Sequence, residues 1–280
     1  MRIIITGAKA SLGQALIHTL AHHELVVFDR KELDITQENL VHTIIAQVKP
    51  QLVINCAAYN AVDAAEVETE TAFKVNTRAV GYLSNASALA GSSFVHVSTN
   101  YVFDGTHPGG YTENDIPNPQ SVYAKSKRGG ELEAKKYNRK SFILRTAWLY
   151  GEAGGSLSSK KNFVQTMLDL SKEKTDISCV ADQYAQPTFT YDLAECVRYL
   201  ITNALPSGTY HVTNSGEASW YSWAKEIFAI AGSPVRLTPT AFADYKRAAQ
   251  RPQYGVLQNT KLPPLRPWQE ALRAYMKTLV

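Results

Sequence analysis

The sequence predicts an α/β protein, with a Rossmann-like doubly wound parallel sheet and a smaller α+β C-terminal substrate lobe. Short apolar runs rich in β-branched residues alternate with longer helical patterns through the first half of the chain. Strands that are apolar on both faces are typical of a parallel sheet covered by helices. The first of these runs leads directly into a glycine-containing turn and a helix, which favours a dinucleotide-binding fold.

Five strands and three helices account for the first half. The strands are predicted at residues 3–5, 25–28, 52–54, 94–97 and 142–144. The helices are predicted at 12–21, from an N-cap at Thr36 to just before Pro50, and at 70–90 before Gly91. Proline cannot continue a helix, and glycine commonly ends one.

The pattern loosens after residue 150. A loop of small and basic residues is predicted at 151–161, followed by helices at 162–171, at 191–203, from an N-cap at Ser219 to 231, and from Pro267 onwards. Short strands are predicted at 177–180, 210–212 and 235–237, all assigned to the smaller lobe. We therefore predict a dinucleotide-binding domain over residues 1–150, to which 182–203 returns, and a mainly substrate-binding lobe over 151–280.

The composition is that of an ordinary globular protein. The chain has 280 residues, of which 45% are hydrophobic and 19% charged, with a formal net charge of +4. Because no basic run carries interleaved aromatic residues, we expect no nucleic-acid partner. No secretory leader or membrane-length apolar run is visible, so we expect no membrane association. Cys56, Cys179 and Cys196 lack metal-ligand spacing and indicate reduced thiols in a cytoplasmic protein.

The turn after the first strand is predicted to bind a pyrophosphate. It follows the spacing Gly-x-x-Gly-x-x-Gly, in which backbone N–H groups and a helix N-terminus meet phosphates. An alanine replaces the middle glycine, and the same spacing also suits a simple strand-to-helix turn. The predicted contacts are Gly7, Ala10, Ser11, Leu12 and Gly13.

The second strand ends in residues that bear on the choice of cofactor. Asp29 is placed to bind ribose hydroxyls and so favours NADH, whereas Arg30 is able to accept the 2′-phosphate of NADPH. Asp34 and Ile35 follow at a distance that suits the adenine. Both cofactors therefore remain open, as does the interpretation of these charges as a solvated loop.

A tyrosine four residues before a lysine places Tyr123 and Lys127 on one face of a helix. We expect the lysine ammonium to lower the tyrosine pKa, because an opposite charge favours the phenolate. The phenol is then able to exchange a proton with a carbonyl oxygen near neutral pH. The spacing alone is common on helices, so its meaning depends on a hydride carrier.

With these motifs placed, the chain resembles the extended short-chain dehydrogenase/reductase family and, within it, the dTDP-4-dehydrorhamnose reductases. The resemblance covers nearly the whole chain. It is carried by the blocks 6–13, 30–36, 55–59, 61–66, 74–76, 98–105, 123–127, 145–151, 182–183, 187–188, 251–252 and 259–262.

This resemblance implies NADPH- or NADH-dependent reduction of the C4 keto group of dTDP-4-dehydro-6-deoxy-L-mannose to dTDP-L-rhamnose. It implies that Thr99 hydrogen-bonds the carbonyl, that Tyr123 supplies the proton and that Lys127 holds the nicotinamide ribose. The remaining implied cofactor contacts are Ala57, Ala58, Tyr59 and Asn76, and the implied sugar contacts are Val62, Asn100, Tyr101 and Trp148.

Two departures keep alternatives open. Ala10 stands in the phosphate loop, and Asn100 stands where the resembled family usually has aspartate. The alternatives are a non-catalytic regulatory or binding homologue, similar to the methionine adenosyltransferase β subunit, and another nucleotide-sugar reductase or epimerase. A 4,6-dehydratase is excluded, because Asn100 and Tyr101 replace its Asp-Glu pair.

The resemblance also bears on assembly. Some members form metal-bridged dimers through two glutamates, whose positions align with Ala15 and Tyr191. We therefore expect a monomer without a bound metal. His96 and Phe103 are expected in the core.

Overall fold

The computed structural model describes residues 1–152, 154 and 161–279, so most of the loop predicted at 151–161 lies outside it. The described strands are β1 Arg2–Thr6, β2 Glu24–Phe28, β3 Leu52–Asn55, β4 Ser93–Thr99, β5 Ser141–Thr146, β6 Leu149–Tyr150, β7 Asp176–Val180, β8 Tyr184–Ala185, β9 Thr188–Phe189, β10 Gly208–His211, β11 Ala218–Ser219 and β12 Arg236–Thr240. The described α-helices are α1 Ser11–Thr19, α2 Glu38–Val48, α3 Thr69–Phe73, α4 Ala79–Leu89, α5 Val122–Tyr137, α6 Phe163–Glu173, α7 Thr190–Thr202, α8 Trp220–Ala231 and α9 Trp268–Lys277.

The main sheet has six parallel strands in the order β10-β5-β4-β3-β1-β2. The strand order reverses between β1 and β3, because β2 lies on one side of β1 and all later strands lie on the other. Such a reversal leaves a crevice at the carboxyl ends of the two strands. The predicted doubly wound α/β class is confirmed.

Alternate side chains of β1 enter the two helical layers. Ile3 and Ile5 pack in the core that α1 and α7 cover, whereas Ile4 packs in the core that α2 and α4 cover. All three side chains are fully buried. Burial on both faces explains why this strand is apolar throughout.

The strand β10 and the helix α7, both from the second half of the chain, belong to the main sheet and to the helical layer that covers it, respectively. α7 packs along α1, so the second half of the chain contributes a helix to the layer that covers one face of the main sheet. The prediction that residues 210–212 form a strand of the smaller lobe is wrong, because β10 pairs with β5 in the main sheet. Tyr210 lies opposite Leu144, and both belong to the same core cluster.

The smaller lobe packs α6, α8 and α9 around the parallel pair β7–β12. Its core contains the fully buried rings of Trp223 and Tyr275. Ser219 caps α8 as predicted, since its hydroxyl accepts the Ser222 N–H at 3.0 Å. Within the described residues, no helix combines the length and hydropathy needed to cross a membrane.

Three helix details differ from the sequence pattern. The N-cap of α2 is Gln37, because the Thr36 hydroxyl instead donates to Asp34 Oδ1 at 2.8 Å. Pro267 is the residue before α9 rather than its first residue. The helix predicted at 70–90 is interrupted by a π-helical turn, Lys74–Arg78, between α3 and α4.

A buried ion network fastens α5 to the sheet. The carboxylate of Glu131 accepts from Ser98 Oγ at 2.6 Å, from Arg145 Nε and Nη2 at 2.8 Å each, and from Arg128 Nη1 at 2.7 Å. Burial opposes ionisation, but the Arg145 guanidinium and the other donors outweigh it and lower the Glu131 pKa to about 2. Because Ser98 lies on β4 and Arg145 on β5, one side chain joins three elements.

We expect Glu131→Ala to lower the free energy of unfolding by about 3–5 kcal/mol, because it leaves the Arg145 guanidinium buried without its carboxylate. Urea denaturation at pH 7 measures this loss. The matched control is Glu195→Ala, whose ion pair with Arg198 is exposed and is worth less than about 1 kcal/mol. Equal, small losses in the two variants would contradict the prediction.

Candidate active site

The turns that follow β1 and β3 lie against each other. Gly7 has a φ of 67°, and a Cβ there would lie 2.6 Å from the Ala57 nitrogen, so only glycine fits. Asn55 Oδ1 accepts from Thr6 Oγ1 at 2.7 Å and from the Ala57 N–H at 3.1 Å. These contacts hold the predicted phosphate loop beside the loop that begins at Ala57.

The phosphate loop fits a dinucleotide. α1 begins at Ser11, followed by Leu12, with no side-chain cap and no acidic residue in its first turn. Its first N–H groups therefore lack intrahelical acceptors, which suits a diphosphate. A Cβ on Gly13 would lie 2.5 Å from the Ala8 oxygen, so the helix starts close to the loop. Ala10 has φ −76° and ψ 157°, an extended conformation open to any residue.

The end of β2 carries an ion pair that the sequence analysis missed. Lys9 pairs with one oxygen of Asp29. The other oxygen accepts from the N–H groups of Lys31 at 2.7 Å and Glu32 at 3.2 Å. Asp29 is therefore held in place and neutralised, while Arg30 beside it is exposed.

Asp34 and Ile35 make local contacts in the next turn. Asp34 Oδ1 accepts from the Thr36 N–H at 3.0 Å and from its hydroxyl. Ile35 is buried in the core cluster with Val41 of α2. Neither residue makes a described contact with the phosphate loop.

The predicted catalytic side chains come together between β4 and α5. Thr99 is the last residue of β4, and Tyr123 and Lys127 lie on the buried face of α5. The Thr99 hydroxyl lies close enough to the Tyr123 phenol to influence its pKa. Lys127 Nζ donates to the Val97 carbonyl at 2.7 Å. The three residues therefore share one end of the sheet.

The electrostatics of this group differ from the prediction. Burial raises the pKa of Tyr123, and the nearby Thr99 hydroxyl only partly opposes that effect. The expected lowering by Lys127 is therefore wrong for this structure, in which the ammonium hydrogen-bonds Val97 instead. Burial lowers the pKa of Lys127 to about 8, although the nearby Glu131 carboxylate acts in the opposite direction.

Asn76 lies within the π-helical turn and fastens the loop after β3. Its Oδ1 accepts the Tyr59 N–H at 2.9 Å, and its Nδ2 donates to the Tyr59 carbonyl at 3.0 Å. The same Nδ2 donates to Ser126 Oγ at 3.0 Å. Asn76 thus holds the segment of Ala58 and Tyr59 against α5. Such π-turns are frequent at functional sites.

Apolar and aromatic side chains surround the catalytic tyrosine. Tyr101 meets Tyr123 edge to face, with ring centroids 5.7 Å apart. Val62 and Tyr59 pack against the same cluster. The structure therefore brings the predicted sugar contacts Val62 and Tyr101 to Tyr123.

Beside this cluster, an ion pair joins two distant parts of the chain. Arg251 donates from Nη1 and Nη2 to the two oxygens of Asp63, at 2.9 and 2.8 Å. Hydrogen bonds from Arg251 lower the Asp63 pKa to about 2. The Arg251 guanidinium also interacts electrostatically with the Tyr101 hydroxyl. Both charged residues lie in sequence blocks noted above, but nothing local indicates that they pair across 188 positions.

The other two predicted sugar contacts are Trp148 and Asn100, which are not part of the cluster around Tyr123. Trp148 stacks on Trp220 of α8, with centroids 3.9 Å apart, and its φ of 40° is rare for a bulky residue. Its described ring contacts are in the smaller lobe, not with Tyr123. Asn100 is 2% exposed. His96 and Phe103 are buried, as predicted.

The positions aligned with the metal-binding glutamates carry other contacts. Ala15 is buried in the core with α7, and Tyr191 meets His18 edge to face at 5.5 Å. Over residues 1–152, 154 and 161–279, no three His, Cys, Asp or Glu side chains group to hold a metal ion.

Comparison with known proteins assigns the family. The sequence matches the family described as RmlD substrate binding domain over residues 1–280. A dTDP-4-dehydrorhamnose reductase from Aggregatibacter actinomycetemcomitans is 40% identical, with 97% of each chain covered. The chain belongs to the dTDP-4-dehydrorhamnose reductase family.

Solved structures of this reductase family show the same fold. The crystal structure of a dTDP-4-dehydrorhamnose reductase from Clostridium acetobutylicum superposes with a TM-score of 0.94 at 40% identity, covering 100% of this chain and 99% of that one. One from Bacillus anthracis, in complex with NADP, has a TM-score of 0.93 at 38% identity and 99% coverage of both chains.

The environment of Lys127 predicts its titration. We expect a midpoint near pH 8, about two units below an exposed lysine. NMR of selectively ¹³Cε-labelled lysine measures it, with Lys127→Met to assign the signal. Glu131→Gln should lower the midpoint further, because the carboxylate stabilises the ammonium. A midpoint above pH 10 in the wild-type protein would contradict this account.

Proposed function

We propose that this chain reduces the C4 keto group of dTDP-4-dehydro-6-deoxy-L-mannose to give dTDP-L-rhamnose, with NADPH or NADH as the reductant. The observation that carries the proposal is the pair of Thr99, at the end of β4, and Tyr123, on the buried face of α5, with Lys127 one turn along the helix. The pair lies at the carboxyl end of a sheet whose β1 turn fits a dinucleotide. The named relatives support the nucleotide-sugar substrate.

The roles of the side chains follow from their protonation states. A bound reduced nicotinamide supplies the hydride for the substrate carbonyl carbon. Because burial keeps Tyr123 protonated, its phenol is the proton donor for the oxygen that becomes the new hydroxyl. Thr99 donates a hydrogen bond to that oxygen, and Lys127, one turn along α5, is placed to hold the nicotinamide ribose.

Both departures that motivated a binding-only homologue are accommodated by the fold. Ala10 adopts an unstrained extended conformation, and Asn100 is buried with internal partners. We further infer a monomer, because neither Ala15 nor Tyr191 supplies a carboxylate to bridge two subunits. The three free cysteines accord with a cytoplasmic location.

The proposal predicts substrate-dependent oxidation of the reductant. Purified protein with NADPH or NADH and the 4-keto sugar nucleotide should lose absorbance at the reduced-cofactor band. Tyr123→Phe should lower kcat by about 10²-fold or more, the usual size of a general-acid effect, with cofactor affinity unchanged. A wild-type protein that binds cofactor but turns over no 4-keto sugar nucleotide would contradict the proposal.

The ion pair at the end of β2 predicts how the cofactors are distinguished. The Lys9 ammonium offsets the Asp29 carboxylate, which would otherwise repel a 2′-phosphate. We therefore expect Lys9→Ala to lower kcat/KM for NADPH relative to NADH by about tenfold, equivalent to ~1.4 kcal/mol.

Steady-state kinetics with both cofactors measure this ratio. Lys31→Ala is the control, since Lys31 contacts Asp29 through its backbone N–H alone among its described contacts. Asp29→Asn should shift the ratio toward NADPH. An unchanged ratio in Lys9→Ala would show that this ion pair does not govern selectivity.

A further inference from the structure

We propose that Glu66 is a positioning residue for Tyr123. Its carboxylate, from the segment that follows β3, fastens the first turn of α5 and so fixes the phenol beside Thr99. This inference rests on the proposed reductase function, because it concerns the alignment of the side chain that would deliver the proton. Glu66 takes no part in the chemistry, since none of its described hydrogen bonds reaches Thr99, Tyr123 or Lys127.

The first step is the place of Tyr123 on its helix. Tyr123 is the second residue of α5, directly after Val122. The first N–H groups of an α-helix have no acceptors within the helix, and the ends of helices fray. The hydrogen bonds of Glu131 hold α5 about two turns further on. The general acid therefore lies in a turn that needs a partner of its own.

The second step is the pair of groups that cap this turn. Ser121 Oγ accepts the Ala124 N–H at 3.2 Å, which is a local cap. Glu66 Oε1 accepts the Val122 N–H at 2.9 Å, across 56 positions of sequence. α5 has no acidic residue in its own first turn. The Glu66 carboxylate therefore adds a charge-assisted bond where a helix favours a negative charge, at the residue before Tyr123.

The third step is the rigidity of the segment that carries Glu66. Residues Ala64–Glu66 form a 3₁₀ turn, in which the Glu66 N–H donates to the Asp63 carbonyl at 3.3 Å. Ala65 is fully buried in the apolar cluster around the catalytic tyrosine. The Asp63 carboxylate is held by the two hydrogen bonds from Arg251. Glu66 thus meets α5 from a fixed position.

The C-terminal segment connects this position to β4. It holds Asp63 through Arg251. It is also bonded to the residue after Thr99, because Asn100 Nδ2 donates to the Gly255 carbonyl at 2.8 Å. A chain of hydrogen bonds, interrupted only by short stretches of backbone, therefore joins the end of β4 to the first turn of α5. The two side chains that would meet the substrate oxygen are held in one frame.

This role requires the reach of the side chain more than its charge. Glu66→Gln keeps the length of the side chain, and its amide oxygen is able to accept the Val122 N–H. Glu66→Asp keeps the charge but is one methylene shorter, and the anchored turn prevents the backbone from closing the gap. The two variants therefore separate the effect of the hydrogen bond from that of the charge.

The experiment measures the single-turnover rate of NADPH oxidation by the 4-keto sugar nucleotide near neutral pH. We expect a rate about tenfold below wild type in Glu66→Asp and within about threefold in Glu66→Gln, because a misplaced reacting group slows the chemical step. The KM for NADPH should stay within about twofold in both. A wild-type rate in Glu66→Asp, or an equal loss in the two variants, would overturn the proposal.

A double variant tests whether Glu66 acts through Tyr123. In the Tyr123→Phe background the phenol is already absent, so Glu66→Asp should change the residual rate by less than about twofold. The same tenfold loss in both backgrounds would show that Glu66 acts on another part of the site, and would refute its role at Tyr123.

The matched control is Glu70→Asp. Glu70 lies in the same segment, in the first turn of α3, and its ion pair with Arg78 is exposed. Its single-turnover rate should stay within about twofold of wild type, because exposed ion pairs contribute little. An equal loss in Glu70→Asp would mean that shortening any carboxylate of this segment disturbs the site, and the specific role of Glu66 would be refuted.

Amide hydrogen exchange measures the contact without turnover. The Val122 N–H should exchange about tenfold faster in Glu66→Asp than in the wild-type protein, and at nearly the wild-type rate in Glu66→Gln. Equal protection in all three proteins would overturn the proposal. A wild-type protein that protects this N–H but turns over no 4-keto sugar nucleotide would refute the reductase function itself, which separates that failure from the failure of this inference.

Discussion

The position of α5 on the sheet depends on the buried carboxylate of Glu131. This residue lies one turn after Lys127, so the bonds that hold it also hold the helix that carries the catalytic tyrosine. Its partners on β4 and β5 are neighbours of Thr99 and Thr146 at the carboxyl ends of the strands. Taking a carboxylate and a guanidinium from water is costly unless every donor and acceptor is matched. Four hydrogen bonds to the Glu131 carboxylate offset much of that cost and fix where Tyr123 of α5 meets Thr99 of β4.

On the side of the site away from α5's contact with the sheet, polar contacts join segments that are distant in the sequence. Asp63 and Arg251 join the loop after β3 to the C-terminal segment, and Asn100 joins the same segment to β4. The C-terminal segment therefore meets the residues beside Thr99 and Val62 through hydrogen bonds.

The success and failure of the sequence predictions have physical causes. The alternating apolar runs and the glycine turn at Gly7 are local patterns of the sequence. The parallel sheet and the dinucleotide-binding turn after β1 could therefore be predicted. The strand at 210–212 was assigned to the smaller lobe instead of the main sheet, because the sequence of a short strand does not indicate which strand it pairs with. The pairing of Asp63 with Arg251 and of Asn100 with Gly255 depends on tertiary closure. The Tyr123 pKa was mispredicted because helical spacing reveals the nearby charge but not the burial that outweighs it.

The π-helical turn at Lys74–Arg78 separates two packing directions within one continuous helix. Before it, Ala72 packs beside Tyr123, and after it Val80 and Leu83 pack under the sheet. One additional residue shifts the phase of a helix by roughly 100°. Loss of a single residue from this turn would restore regular winding and rotate one of these two surfaces out of contact. The length of this segment is therefore under a constraint that its chemical composition does not reveal.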